Sequence, residues 1–151
     1  MGYETTFEGY ITIEPPLNPQ EIEFLTLFSR THRLNRTQGP YFVGGNTDTT
    51  GVLTPMGPPR GQPNLNCDWT PSLDGKYLEW NGSEKFYDCT EWMRYLMDHF
   101  LNSNHLAPMP FLQGHSCNGT IDAQGEEMND RYRIVVTEGK VVTQSAIIQW
   151  S

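Results

Sequence analysis

The sequence predicts an α+β fold, an antiparallel sheet of about six strands with two helices on one face. Three observations carry that reading. Residues 3–14 alternate with a period of two, two segments (18–33 and 88–101) place apolar residues at helical spacing, and the chain after Gly114 breaks into short runs separated by turn residues. The order β, α, β, β, α, then β, β, β begins as a ferredoxin-like βαββαβ core and closes with C-terminal hairpin strands. A length of 151 residues suits one domain, residues 1–151, with one hydrophobic core.

In residues 3–14, Tyr3, Thr5, Phe7, Gly9, Ile11 and Ile13 share one face, and Glu4, Thr6, Glu8, Tyr10, Thr12 and Glu14 share the other. That is the signature of a half-buried strand, and Pro15-Pro16 ends it. The first helix starts on three agreeing signals: Asn18 as cap, Pro19 at the first helical position, and Glu21 three residues after the cap. Leu17 and Ile22 stand at hydrophobic-staple positions. Ile22, Phe24, Leu25, Leu27 and Phe28 give the helix a broad apolar face. Arg30, His32, Arg33 and Arg36 gather at its far end, where cations complement the helix dipole; the alternative is a small anion or carboxylate site.

Residues 35–66 form a Gly/Pro-rich excursion with little periodicity, long for a connection within a compact domain. Tyr41, Phe42, Val43 and Leu53 are the side chains expected to pin it to the body. Its segment 57–63, GPPRGQP, resembles an SH3-type ligand only loosely. Residues 67–70 and 76–80 read as two short strands around Asp74-Gly75, a hairpin turn signal. In the second helix Cys89, Trp92, Met93, Leu96 and Phe100 repeat at helical spacing, with Tyr95, Met97 and Leu101 widening the apolar surface. Asp88 with Glu91 is the expected cap pair, with a start at Ser83 as the alternative. Glu91, Arg94 and Asp98 line the polar stripe at ion-pair spacing. After a loop at 102–114, residues 116–123, 131–137 and 140–145 read as a three-strand meander, and the apolar end 146–151 is expected to dock on the body or on a partner chain.

Composition narrows the function. A net charge of −8 argues against nucleic-acid affinity, because phosphate binding draws on clustered Lys and Arg. No apolar run approaches the roughly 20 residues of a membrane span. Cys67, Cys89 and Cys117 are widely spaced and odd in number, which fits free thiols in a reducing compartment. No secretory signal opens the chain, so the expected location is cytoplasmic, and the Asn-Xaa-Ser/Thr sites at Asn35, Asn81 and Asn118 read as chance matches.

No phosphate-binding loop, nucleophile elbow, zinc-protease helix or CxxC pair is present. Three weaker constellations remain. His105, His115 and Cys117 have the chemistry of zinc ligands, but a structural site takes four, and the expectation is no metal and no cofactor. Glu84 and Lys85 before the second helix, with Glu126 and Arg131 flanking the 124–130 turn, could combine for acid–base work if the sheet brings them together. Trp80, Tyr87, Tyr41 and Phe42 are the aromatics expected at a binding surface.

Gly82-Ser83-Glu84-Lys85-Phe86-Tyr87, Glu91-Trp92, His99-Phe100, Gly119, Ala123-Gln124-Gly125-Glu126 and Asp130-Arg131, with the opening segment 3–16, resemble an uncharacterised family of small bacterial and phage proteins. The resemblance spans most of the chain outside the Gly/Pro-rich excursion. It implies no reaction, and it implies a mobile-element or host–phage setting.

The expected function is therefore a small acidic, non-enzymatic protein-binding or accessory protein. Its partner would be a host or phage protein, with a homodimer also compatible. One alternative is a small enzyme using Glu84, Glu126 and Arg131. The other is a structural subunit that oligomerises through a sheet face or the C-terminal segment.

Overall fold

The structure, a computed structural model, describes residues 3–45, 48–54, 57–101 and 114–145. The first strand, β1 (Thr5–Glu14), is the axis of the sheet. Its alternation is realised as predicted: Phe7, Ile11 and Ile13 are buried while Glu8, Tyr10 and Glu14 face out. Helix α1 (Pro19–Arg30) follows, opened by the predicted capping box. Asn18 Oδ1 accepts from the Glu21 amide at 2.8 Å and Glu21 Oε1 accepts from the Asn18 amide at 2.9 Å, so two of the orphan donors of the first turn are satisfied.

The excursion carries a small two-stranded sheet, β2 (Asn35–Arg36) with β3 (Val52–Thr54), which its irregular sequence did not predict. It is tied down by two of the cations expected to decorate the helix end. Arg33 and Arg36 turn inward and are buried. Arg33 lies over the Phe28 ring at 4.1 Å and donates to the carbonyls of Thr31 (3.1 Å), Pro40 (3.2 Å) and Phe42. Arg36 stacks on Phe42 at 4.6 Å and donates to the carbonyls of His32 and Thr50. A guanidinium suits this task because its planar fork serves several carbonyls at once. Tyr41 and Val43 pack on the core as expected, whereas Leu53 is exposed. Pro59 and Gln62 of the 57–63 segment are buried against the body, so that segment is no free proline-type ligand.

The hairpin strands are β4 (Trp69–Pro71) and β5 (Tyr77–Trp80), followed by α2 (Cys89–His99) and the meander β6 (Ser116–Gly125), β7 (Arg131–Thr137) and β8 (Lys140–Ser145). The Gly119, Ile121 and Ala123 side of β6 runs alongside β1 in full register, Phe7 opposite Ala123 and Ile11 opposite Gly119. The strands approach closely there: a Cβ on Gly9 would lie 2.5 Å from the Thr120 carbonyl oxygen, and one on Gly119 would lie 2.5 Å from that of Tyr10. Glu138 and Gly139 both take positive φ (48° and 78°), which fits a two-residue turn joining β7 to β8.

All six main strands pair antiparallel in the order β4-β5-β1-β6-β7-β8. The chain is thus α+β, with β1 and β4 joined through α1 and β5 lying between them. Both helices lie on the face that buries Phe7, Ile11, Leu78, Ile121 and Ile134, in one cluster with Phe28 and Trp92. The helix–helix seam is aromatic. Phe28 meets Trp92 at 5.9 Å and Phe100 at 5.1 Å, and Phe24 meets Phe100 at 5.4 Å, all edge-on.

Helix α2 is buried over most of its surface, including Trp92, Met93, Tyr95, Leu96 and Met97. Its predicted cap is not made. Asp88 sits in the left-handed region (φ 57°) with no side-chain cap, and its Oδ2 accepts from Asn64 Nδ2 at 3.0 Å instead. The helix begins at Cys89, not at Ser83. Among the described residues Glu91, Arg94 and Asp98 form no ion pairs, as expected of exposed charges whose pairing gains little over water. No described helix is long and apolar enough to cross a membrane. Residues 102–113 of the loop expected at 102–114, with His105, and the end 146–151 lie outside the described residues.

Candidate functional site

The β4–β5 hairpin has a consequence beyond the sheet. Trp69 pairs with Trp80, so the next residues out, Asp68 and Asn81, stand side by side. The Asn81 amide donates to the Asp68 carbonyl at 3.0 Å, and Asn81 Nδ2 donates to Asp68 Oδ1 at 3.4 Å. Asn81 Oδ1 in turn accepts from the Ser83 amide at 2.9 Å, and Trp80 Nε1 donates to the Ser83 carbonyl at 3.1 Å. These bonds fix the tetrapeptide Gly82–Lys85 as a rim beside Asp68.

The opposite wall is the end of α1. The helix stops at Arg30, Thr31 is extended (φ −109°, ψ 128°), and Arg30 and His32 project from that break. Together Ser29, Arg30, His32, Asn66, Asp68, Asn81, Ser83, Glu84 and Lys85 line a predominantly polar cleft of about 430 Å³. Two sequence features read separately, the cations after α1 and the segment before α2, therefore meet in one place. The cation cluster divides by direction: Arg33 and Arg36 hold the excursion, and Arg30 and His32 face the cleft.

Three properties mark this cleft as more than a surface irregularity. The side chains of Arg30, His32, Glu84 and Lys85 make no hydrogen bond or ion pair with any described residue. Asp68 is only 7% exposed, and its carboxyl has no cation within ion-pair distance among the described residues. Burial raises its pKa above the usual carboxylate range, while the Asn81 bond opposes that shift. The backbone beside it is strained: Lys85 (φ 60°) and Asp88 (φ 57°) are left-handed without being glycine. Such conformations cost of order 1–3 kcal/mol each and concentrate where function overrides stability.

The other sequence candidates are placed elsewhere. Glu126 Oε1 accepts from the Glu4 amide at 2.8 Å, and Arg131 lines a groove on the sheet face away from the helices with Thr6, Glu8 and Asp122. No hydrogen bond or ion pair joins any two of Glu84, Glu126 and Arg131. Trp80 packs edge-on against Phe7 at 5.3 Å, and Phe42 lies under Arg36. Tyr41 Oη and His99 Nδ1 share a hydrogen bond of 2.7 Å, and burial depresses the His99 pKa, which favours the neutral ring. Of the four aromatics, Tyr87 is exposed and Tyr41, Phe42 and Trp80 are half-buried.

His115 is fully engaged, Nδ1 with the Pro15 carbonyl at 2.7 Å and Nε2 with Glu21 Oε2 at 2.9 Å. Cys117 is buried, and that burial pushes its thiol up to about 12, away from the thiolate a metal requires. Among the described residues no group of three or more His, Cys, Asp or Glu is placed to hold a metal ion.

Asp68 is the functional candidate that sequence reasoning missed. Its signal was available by counting: from the Asp74-Gly75 turn outward, Pro71 pairs with Leu78, Trp69 with Trp80, and Asp68 then falls beside Asn81. Comparison with protein-family models, with curated proteins and with solved structures gave no match.

Proposed function

We propose that this is a non-enzymatic binding or accessory protein that engages a protein partner through the polar cleft between the end of α1 and Gly82–Lys85. The observation that carries the reading is the set of polar side chains there with no partner among the described residues, Arg30, His32, Glu84 and Lys85, gathered over the buried carboxyl of Asp68. No described residue uses them, which leaves them available to a second molecule. The resemblance to small bacterial and phage proteins gives this reading its setting, with the partner a host or phage protein. Affinity purification with the native chain and with an Arg30→Glu, Lys85→Glu double variant tests it. Loss of the partner from the folded variant is the expected result; identical partners from both would overturn it.

A second reading, a subunit that assembles through its sheet, has one observation in its favour. Among the described residues β8 is an edge strand of six residues with no neighbour on its outer side and Lys140 as its one charge, and Val142 is 48% exposed. The opposite edge, β4, is three residues long and ends in Pro71, which blunts it. Sedimentation velocity of the native chain and a Thr143→Pro variant distinguishes the two: a dimer abolished by the proline supports assembly, and a native monomer at high concentration contradicts it.

A further inference from the structure

The cleft's charges also specify what it holds. Its walls carry two cations, Arg30 and Lys85, and two carboxylates, Asp68 and Glu84, with His32 beside them. This balance is local, in a chain whose net charge is −8. A purely anionic group seated there meets the cations but lies against Glu84 and Asp68. A purely cationic group meets the carboxylates but lies against Arg30 and Lys85. Like-charge contacts of that kind penalise single-sign ligands, whereas a group with both signs satisfies both sets.

The floor and the rim differ in kind. Asp68 is fixed by the hairpin register and by Asn81, and it is buried, so a cation reaching it compensates a carboxylate already removed from water. Arg30, Glu84 and Lys85 are exposed and uncommitted, so they can adjust to whatever part of the ligand stays outside. The deep position is therefore the cationic one, and the rim receives the anion.

Building on the partner-binding reading above, we infer that the cleft accepts a peptide segment with neighbouring basic and acidic side chains, the basic group at Asp68 and the acidic group between Arg30 and Lys85. The exposed Asn81 and Ser83 supply polar contacts for the main chain between them.

The test is a titration of the full chain, followed by amide NMR signals of residues 82–85 and the His32 ring, with three capped peptides: Ac-Lys-Glu-NH2, Ac-Lys-Gln-NH2 and Ac-Gln-Glu-NH2. The Lys-Glu peptide should saturate at least about fivefold more tightly than either single-charge peptide, the like-charge contacts being removed only in the first. Asp68→Asn should erase the preference for Lys-Glu over Gln-Glu, weakening Lys-Glu and tightening Gln-Glu, whose like-charge contact with Asp68 is removed. Equal binding of Gln-Glu and Lys-Glu would overturn the inference in favour of a simple anion site. Failure of all three peptides to saturate would also overturn it. The wider reading fails separately, through retention of the partner by the Arg30→Glu, Lys85→Glu chain.

Discussion

His115 Nε2 lies 2.9 Å from Glu21 Oε2 in a site where both residues are buried, and this contact joins the start of β6 to the first turn of α1. The Pro15 carbonyl can only accept, so Nδ1 carries a proton. Exactly one further proton must then lie between Nε2 and the carboxyl, either as imidazolium and carboxylate or as neutral imidazole and acid. Glutamine at position 21 can reproduce the second arrangement, accepting from the Asn18 amide and donating to Nε2. His115→Ala leaves the carboxyl buried with its second oxygen unpaired. Denaturant melts should show His115→Ala losing about 3–5 kcal/mol and Glu21→Gln about 1 kcal/mol or less. The reverse order would show that the pair is not shared in this way.

Trp92 is fully buried between Phe28 and Tyr95, and its indole Nε1 has no hydrogen-bond partner among the described residues. Trp92→Ala should cost about 3–5 kcal/mol, the loss for a large buried aromatic. Trp92→Phe should cost clearly less, because it gives up volume but also removes an unsatisfied donor. Equal losses in thermal melts would mean that the indole N–H is satisfied in solution.

Arg33 holds the excursion through the carbonyls of Pro40 and Phe42, and is itself seated on the Thr31 carbonyl and the Phe28 ring. Arg33→Lys keeps the charge and loses the fork, and should destabilise by about 2–3 kcal/mol while opening residues 40–45 to protease. Limited proteolysis with unchanged cleavage rates in that stretch would contradict the anchoring role.

Asp68 should show its burial in the pH dependence of stability. Its folded pKa is raised above the ordinary value of 3.8, so its contribution favours the folded state below 3.8 and is lost as pH rises through the folded value. Asp68→Asn removes the titration. The melting temperature of that variant relative to the native chain should therefore increase from pH 3.5 to pH 7. A difference that stays flat or shrinks over that range would mean that the carboxylate is compensated in solution.

The fold was largely legible because each element carried its own local signal. The alternation of β1, the Asn18/Glu21 capping box and the Asp74-Gly75 and Glu138-Gly139 turns are all decided by neighbours in the chain. What failed was decided at a distance. Asp88 is the best local cap for α2, yet Asn64 from the excursion takes its carboxylate. Arg33 and Arg36 look like helix-end cations until the carbonyls they serve are brought in from residues 40–50. The cleft was half visible, since Gly82–Lys85 and the Arg30/His32 pair stood out separately. Their meeting depends on the hairpin register and on where α1 stops relative to β4.

The most direct test of the cleft as the binding surface is site-specific photo-crosslinking in the cells that naturally make the protein. A photoreactive residue at Ser83 should give an adduct with a second protein, and the same residue at Val142, on the sheet face away from the helices, should give none. Adducts from position 142 alone, or from position 83 only in chains carrying Arg30→Glu and Lys85→Glu, would contradict the account.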